Sequence, residues 1–255
     1  MSFEATHRLD GKVAVITGGK GAIGLATARR LASLGARIVS LDRSGTASVQ
    51  ALLNSLTAVS SGAHLALQAS ITDSASLHRA AQTVLAQIGS CDILINSAGS
   101  TKAIAAADLD ALTDDIFDEI VQTNLRGMFA TIRAFAPLLK TSGDGLIVNV
   151  SSIAGITGAG SNLAYAAAKA GVDVLTKGLA KALAPQIRVL AVSPGVVDST
   201  FVPGRGADFN EKAAATIPLK RIGTVDDIAS AIEACATTLR FATGSRFVID
   251  GGRSL

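Results

Sequence analysis

The sequence predicts an α/β protein with a doubly wound parallel sheet of about seven strands and helices on both faces. Short β-branched runs alternate along the chain with longer stretches of helical periodicity, the order expected for parallel strands joined by right-handed crossovers. Several short runs are apolar at almost every position, as expected for strands covered on both faces. No linker divides the 255 residues, so residues 1–255 are predicted to form a single domain.

Seven strands are predicted from the apolar runs. The first reads Val-Ala-Val-Ile-Thr over residues 13–17 and is followed at once by glycines, which end the strand in a turn. The others are placed at 37–41, 65–69, 93–96, 146–150, 188–192 and 246–249. Ligands of such sheets bind beyond the carboxyl ends of the strands, so the segments that directly follow the strands are candidates for a site.

Five helices are predicted between the strands, at about 23–34, 74–88, 113–139, 163–183 and 225–239. Thr113 and Thr224 each stand directly before a segment with acidic residues, the pattern of an N-terminal cap. Acidic side chains in a first turn are also favoured by the positive end of the helix dipole. These two positions are therefore predicted to begin helices.

Composition excludes several classes of function. The net charge is only +3 and the basic residues are scattered, so no nucleic-acid surface is predicted. No apolar run approaches the roughly 18 residues of a membrane span, and the first ten residues carry charges where a signal peptide would be apolar. Cys91 and Cys235 lack metal-ligand spacing, and the three histidines are far apart, so no metal site is predicted. A cytoplasmic protein is expected.

A glycine-rich turn follows the first predicted strand and opens the first helix. Glycines permit a tight turn and let backbone amides approach a pyrophosphate, whose charge a helix N-terminus favours. The context of strand before and helix after favours a dinucleotide site over an ordinary turn. The cofactor-binding residues assigned to this turn are Gly18, Lys20, Gly21, Ala22, Ile23 and Gly24, the last of which would allow close packing of the helix on the strand.

Asp42 ends the second predicted strand, 24 residues beyond Gly18. An acid at this place binds the adenosine ribose hydroxyls and repels a 2′-phosphate, which favours NAD over NADP. Arg43 and Lys20 are cations that could instead meet a 2′-phosphate, so NADP stays an alternative. The simplest other interpretation of Asp42 is a loop aspartate that forms a turn.

Tyr165 is the only tyrosine of the chain, and Lys169 lies four residues later on a predicted helix. Side chains four apart lie on the same helix face. A nearby ammonium favours the phenolate, the condition for an acid/base that works near neutrality. A tyrosine on a helix surface beside a solvated lysine is the default alternative, because the pattern is short.

These residues and several further motifs make the chain resemble the short-chain dehydrogenases/reductases, from about residue 9 to residue 252. The cofactor motif has Ala22 where a glycine is common, and Ser152 precedes Tyr165 by 13 residues, the usual family separation. Other matching motifs are Asn96-Ser97-Ala98-Gly99, Thr123-Asn124-Leu125, Pro194-Gly195 and Asp250-Gly251-Gly252. The resemblance implies a Rossmann fold and hydride transfer between a nicotinamide and an alcohol or ketone.

The resemblance assigns four catalytic residues. Tyr165 would exchange the proton with the substrate oxygen, and Ser152 would donate a hydrogen bond to it. Lys169 would lower the tyrosine pKa and hold the nicotinamide ribose, and Asn124 would support a water relay to Lys169. Without the resemblance, Ser152 would be interpreted as a strand-end cap and Asn124 as a buried helix asparagine.

The remaining cofactor contacts are also implied by the resemblance. Ser70 stands where many relatives have an aspartate near the adenine, and Ser199 stands where they have a threonine near the carboxamide. The full set beyond the phosphate turn is Asp42, Arg43, Ser70, Ile71, Asn96, Ala98, Gly99, Tyr165, Lys169, Pro194, Gly195, Val197 and Ser199.

A substrate lid is predicted at residues 199–217, where Gly204 and Gly206 would give mobility. Substrate contacts are assigned to Ser152, Tyr165, Asn162, Phe201 and Arg205, although a loop arginine is more often solvated. Polyols and sugars, hydroxy acids, acyl thioester ketones and cyclic alcohols all remain open as substrates. Apolar and small residues on several faces of the two long helices predict a homotetramer, with a dimer as second choice.

The sequence is compatible with three functions. The first is an NAD-dependent alcohol or polyol dehydrogenase, favoured by Asp42. An NADPH-dependent 3-oxoacyl thioester reductase is the alternative that Lys20 and Arg43 favour. A non-catalytic nucleotide-sensing regulator on the same fold is the alternative of another class, since a fold does not fix a function.

Overall fold

The computed structural model describes residues 7–43, 46–57, 60, 63–204, 206 and 208–255, without the side chains of residues 46–50. Within them, seven strands form one parallel sheet in the order β3-β2-β1-β4-β5-β6-β7. The strands are β1 Val13–Thr17, β2 Arg37–Asp42, β3 Leu65–Gln68, β4 Ile93–Asn96, β5 Gly145–Val150, β6 Ile187–Pro194 and β7 Arg246–Ile249. The predicted fold class is confirmed, and every predicted strand is present with its ends within two residues of the prediction.

Helices cover both faces of the sheet. They are α1 Ala22–Ser33, α2 Thr46–Thr57, α3 Ser74–Ile88, α4 Asp114–Val121, α5 Met128–Thr141, α6 Ala154–Thr157, α7 Leu163–Leu183, α8 Phe209–Thr216 and α9 Val225–Thr237. Alternate residues of each strand point to opposite faces. Thus Val13 and Val15 pack with α3, α5 and α7, whereas Ala14 and Ile16 pack with α1, α2 and α9.

The structure corrects the predicted helix at 113–139. A π-helical turn over Gln122–Gly127 separates α4 from α5, so the segment is three pieces and not one helix. A turn with one extra residue does not change the apolar periodicity enough to be seen in the sequence. Such turns occur frequently at functional sites.

Three of the observed helices were not predicted from the sequence, namely α2, α6 and α8. Serines and threonines, which are weak helix formers, make up much of α2. Its buried Leu52 and Leu56 pack into the cluster that α1 and α9 share, so tertiary packing stabilises a helix of low intrinsic propensity. The other two helices are only four and eight residues long.

Both predicted caps are confirmed. The side chain of Thr113 accepts a hydrogen bond from the backbone N–H of Ile116 at the start of α4. At the start of α9, Thr224 and Asp227 form a reciprocal capping box. No helix in the described part of the chain is long and apolar enough to cross a membrane.

Candidate active site

A cleft of about 440 Å³ lies at the carboxyl ends of the central strands. Its walls come from the segments that follow β1, β2, β4, β5 and β6, together with α7. Because β1 and β4 are neighbours at the switch in strand order, the cleft lies where such sheets bind ligands. The predicted site residues that line it are Gly18, Lys20, Gly21, Ala22, Ile23, Asp42, Arg43, Ile71, Ala98, Gly99, Ser152, Tyr165, Lys169, Pro194, Gly195, Val197, Ser199 and Phe201.

The glycine turn has no room for side chains at two of its positions. Gly18 has φ +65°, and a Cβ there would lie 2.9 Å from the Cα of Ala98. A Cβ on Gly24 would lie 2.2 Å from the carbonyl oxygen of Gly18, so Gly24 brings α1 against the turn. Ala22 is the exposed first residue of α1 and its methyl group is not packed inside the turn. The backbone amides at this helix start thus remain open to an anion, which fits a pyrophosphate.

Two hydrogen bonds orient the carboxylate of Asp42, one from the glycine turn and one from β2. Its Oδ1 accepts a hydrogen bond of 3.2 Å from the backbone N–H of Lys20, and its Oδ2 accepts one of 2.5 Å from the hydroxyl of Ser40. Ser40 is fully buried and comes so close to Gly19 that a Cβ there would lie 2.2 Å from its Oγ. Neither Gly19 nor Ser40 was predicted as a site residue, because a serine inside a buried strand carries no recognisable signal.

Three predicted cofactor residues lie off the wall of the cleft. Gly24 lies behind the turn, where its role is the close packing described above. Ser70 bonds to Thr72 and lines a shallow depression beside the cleft, while Thr72 itself lines the cleft. Asn96 is buried and donates a hydrogen bond of 2.9 Å to Asn149 on β5. Asn96 therefore ties neighbouring strands together below the cleft.

Tyr165 and Lys169 lie on the first turns of α7 and both line the cleft. The Nζ of Lys169 lies 5.5 Å from the centroid of the Tyr165 ring and donates a hydrogen bond of 2.7 Å to the carbonyl of Val150. Lys169 is only 5% exposed, and burial lowers its pKa to about 8. An ammonium is thus the main form at neutral pH, and its charge favours the phenolate of Tyr165.

Asn162 does not line the cleft. It is 2% exposed and caps α7, its Oδ1 accepting a hydrogen bond of 2.7 Å from the backbone N–H of Tyr165. Its Nδ2 donates to Thr101 and to the carbonyl of Lys102. The residue predicted to touch substrate thus holds the start of the helix that carries Tyr165.

Ser152 follows β5 and lines the same cleft as Tyr165. Its Oγ accepts a hydrogen bond of 3.1 Å from the backbone N–H of Ala154. A hydroxyl that accepts one bond still has its hydrogen to donate. Ser152 can therefore donate a hydrogen bond to an oxygen in the cleft.

Asn124 lies in the π-helical turn, 2% exposed and off the cleft wall, which its neighbour Thr123 lines. Its Nδ2 donates two hydrogen bonds of 2.8 Å, to the carbonyl of Ser100 and to that of Ile120. Ile120 belongs to the last turn of α4, directly before the π-helical residues. Asn124 thereby fixes the loop after β4 against the irregular turn.

Phe201, in the predicted lid, lines the cleft and lies near Tyr165. Its ring centroid lies 5.9 Å from that of Tyr165, at a tilt of 53°, and its side chain is partly exposed. The described part of 199–217 contains α8, whose Asn210 donates a hydrogen bond to Asp198. Arg205 lies outside the described residues.

Comparison with known proteins agrees with this geometry. The family model described as short chain dehydrogenase matches residues 12–208. The chain belongs to the short-chain dehydrogenase/reductase family. As a member of it, the chain is an NAD(P)-dependent oxidoreductase that acts on CH–OH and C=O groups. This membership favours an enzyme over the nucleotide-sensing regulator weighed above.

Three proteins illustrate the similarity within the short-chain dehydrogenases/reductases. A granaticin polyketide synthase protein of Streptomyces violaceoruber is 35% identical over 261 residues, which cover 98% of this chain and 99% of the relative. The 3-oxoacyl-(acyl-carrier-protein) reductase of Thermotoga maritima is 34% identical, covering 96% of this chain and 98% of its own. The structure of carveol dehydrogenase from Mycobacterium avium in complex with NAD is 26% identical, with a TM-score of 0.88 over 96% of this chain and 98% of that one.

Proposed function

We propose that this enzyme prefers NAD and interconverts a small neutral alcohol and the corresponding ketone. One arrangement carries the proposal: Tyr165 and Ser152 line a cleft whose far side, across β4 and β1, holds the glycine turn and Asp42. A dinucleotide laid over the turn would place its reactive ring toward Tyr165. The nicotinamide supplies or accepts the hydride.

Each catalytic residue is given one task. Tyr165 donates the proton to the carbonyl oxygen in reduction and removes it from the alcohol in oxidation. Ser152 donates a hydrogen bond to the same oxygen, which stabilises the charge that develops there. Lys169 favours the phenolate through its positive charge and contacts the nicotinamide ribose.

For Asn124 we propose a positioning role. Both hydrogens of its amide are used by the carbonyls of Ser100 and Ile120, so the amide has none left for a water relay. The side chain of Asn124 could therefore enter a relay to Lys169 only as an acceptor, and we propose that it acts by holding the loop after β4.

The cofactor preference rests on Asp42. We expect the protein to bind NADH more tightly than NADPH. Asp42→Ser should shift the ratio of the two dissociation constants toward NADPH by about tenfold or more, because a charge-assisted hydrogen bond to the ribose is lost. Cofactor fluorescence titrations measure both constants. Arg43→Ala is the matched control and should weaken NADPH binding more than NADH binding. Tighter binding of NADPH by the unchanged protein would contradict the assignment.

The charges of the cleft favour a neutral substrate. Among the described lining residues, the charged ones are Lys20, Asp42, Arg43 and Lys169, and the first three lie by the glycine turn. Apart from these four, the polar side chains among the described lining residues all carry hydroxyl groups, and the ring of Phe201 lies 5.9 Å from that of Tyr165. Among the described residues, Lys169 is the cation that a substrate carboxylate would meet at this end of the cleft. The similarity to carveol dehydrogenase, whose name gives a neutral alcohol, supports the same conclusion.

A second candidate is an NADPH-dependent 3-oxoacyl thioester reductase. The 34% identity to the Thermotoga maritima reductase and the two cations by the glycine turn favour it. The two candidates are separated by assaying neutral cyclic ketones and acetoacetyl-coenzyme A with NADH and with NADPH. Turnover confined to the thioester with NADPH would replace our proposal with the second one.

We also propose a homotetramer. Four large apolar side chains on α4, α5 and α7 are exposed, namely Phe117, Phe129, Leu163 and Val174, the last at 69%. Exposed apolar surface on several helices is typical of subunit contacts. Sedimentation velocity should give a tetramer, or a dimer as second choice, and Val174→Asp should lower the assembly state. A monomer at micromolar concentration would refute both assembly states.

A further inference from the structure

Asp173 is a buried acid next to the catalytic lysine that the proposed mechanism leaves without a role. It lies on α7, one helical turn after Lys169, and is 7% exposed. Its Oδ2 accepts a hydrogen bond of 2.9 Å from Arg246, whereas its Oδ1 has no hydrogen-bond partner among the described residues. A buried carboxylate is costly unless it is paired, so this acid calls for a physical explanation.

Arg246 holds Asp173 from outside the helix. It lies on β7, the strand at the edge of the sheet, and its side chain is 34% exposed. The ion pair thus joins a partly solvated guanidinium to a carboxylate that is itself only 8% exposed. Such a pair fixes the carboxylate in position without neutralising all of its field at the lysine.

Among the described residues, the acid whose charge acts on Lys169 is Asp173. Burial lowers the pKa of Lys169, and the negative charge of Asp173 raises it. Toward β5 the ammonium donates a hydrogen bond to the carbonyl of Val150. Of the other charged groups on these elements, Lys177 is exposed one turn further along α7 and Arg246 is engaged by Asp173. The acid among the described lining residues of the cleft is Asp42, which lies at the end of β2.

We propose that Asp173, held in place by Arg246, is a positioning residue that keeps Lys169 in its ammonium form beside Tyr165. The inference rests on the proposed function, since it matters only if Tyr165 is the acid/base. Asp173 acts through Lys169: it lies two helical turns from Tyr165, whereas Lys169 lies one turn away. Along α7 the phenol of Tyr165 is thus followed by the ammonium of Lys169 and the carboxylate of Asp173, which is paired with the guanidinium of Arg246 on β7.

The composition of the chain permits a direct test. It contains one tyrosine and no tryptophan, so the near-ultraviolet phenolate absorption reports the ionisation of Tyr165 alone. Losing the acid makes Lys169 lose its proton more easily, and a neutral Lys169 no longer favours the phenolate. Asp173→Asn should therefore raise the pH midpoint of phenolate formation by about half a unit or more. Arg246→Gln leaves the acid unneutralised and should lower the midpoint, while Asp173→Glu should keep it near that of the unchanged protein.

The effect must also depend on Lys169. In a Lys169→Met background, Asp173→Asn should no longer raise the midpoint, because the residue through which it acts is absent. An unchanged midpoint in folded Asp173→Asn, or an equal rise with and without Lys169, would overturn the inference. Should Asp173→Asn fail to fold, the same comparison is made with Arg246→Gln, with Lys169 present and with Lys169→Met. If the ion pair were purely structural, its loss would lower thermal stability and leave the pH midpoint of phenolate formation unchanged. These readings need no substrate, so they are separate from the loss of turnover that tests Tyr165.

Discussion

Replacing Tyr165 with phenylalanine is expected to lower kcat by about 10²–10⁴-fold in both directions, with cofactor affinity nearly intact. The variant lacks only the hydroxyl group. The ring keeps its place 5.9 Å from that of Phe201, and the backbone N–H at position 165 keeps its bond to the Asn162 cap. Steady-state kinetics with a ketone that the unchanged enzyme reduces, combined with a cofactor titration, measure both quantities.

The companion change Ser152→Ala shows whether the loss is specific to proton transfer. It removes a hydrogen-bond donor to the oxygen and leaves the proton donor in place, so we expect a decrease of about 10²–10³-fold. Because Ser152 also accepts a bond from Ala154, the thermal stability of this variant must be checked beside its kinetics.

Turnover of Tyr165→Phe close to that of the unchanged enzyme would show that another group moves the proton.

The central strands and the positions that follow them were predictable because burial on both faces leaves a continuous apolar run. The segment 93–96 and the glycines after residue 17 are recognisable for that reason. Local spacing also predicted Tyr165, Lys169 and the cap at Thr224, since each depends on neighbours within one helical turn.

What the sequence could not show depends on contacts between distant segments. Ser40 reaches Gly19 and Asp42 only once β2 is paired beside β1. The task of Asn162 follows from its β conformation directly before α7, which turns a residue expected to face substrate into a helix cap. Likewise, the π-helical turn that holds Asn124 changes one backbone bond and little of the side-chain pattern.

Two features hold Tyr165 and Lys169 in place before any ligand binds. The Asn162 cap fixes the first turn of α7, and the hydroxyl of Ser151 donates a hydrogen bond to the backbone carbonyl of Lys169. The second contact joins α7 to the end of β5, which also carries Ser152 and the carbonyl that accepts from Lys169 Nζ. Helix and strand end thus form one rigid unit that contains three of the four assigned catalytic residues, as preorganised catalysis requires.

Lys169→Met is expected to lower kcat by about 10²-fold or more and to weaken NADH binding as well, because the lysine is assigned to both the tyrosine and the nicotinamide ribose. Methionine fills much of the same volume, so packing is largely kept. Kinetics and cofactor titrations measure the two losses. Lys169→Arg is the control that keeps a positive charge, and it should retain more activity than the methionine variant.

Protein stability should move in the opposite direction to activity. The pKa of Lys169 is lowered by burial from 10.5 in the unfolded chain to about 8, so the unfolded state binds more protons between these values. Stability of the unchanged protein therefore rises with pH through this window, and the cost of burying the ammonium is fully present at neutral pH. Methionine removes that cost, so its variant should melt no lower than the unchanged protein at pH 7. An inactive and destabilised variant would instead identify Lys169 as part of the packing, whereas an inactive variant of full stability would show that burial of this charge serves catalysis.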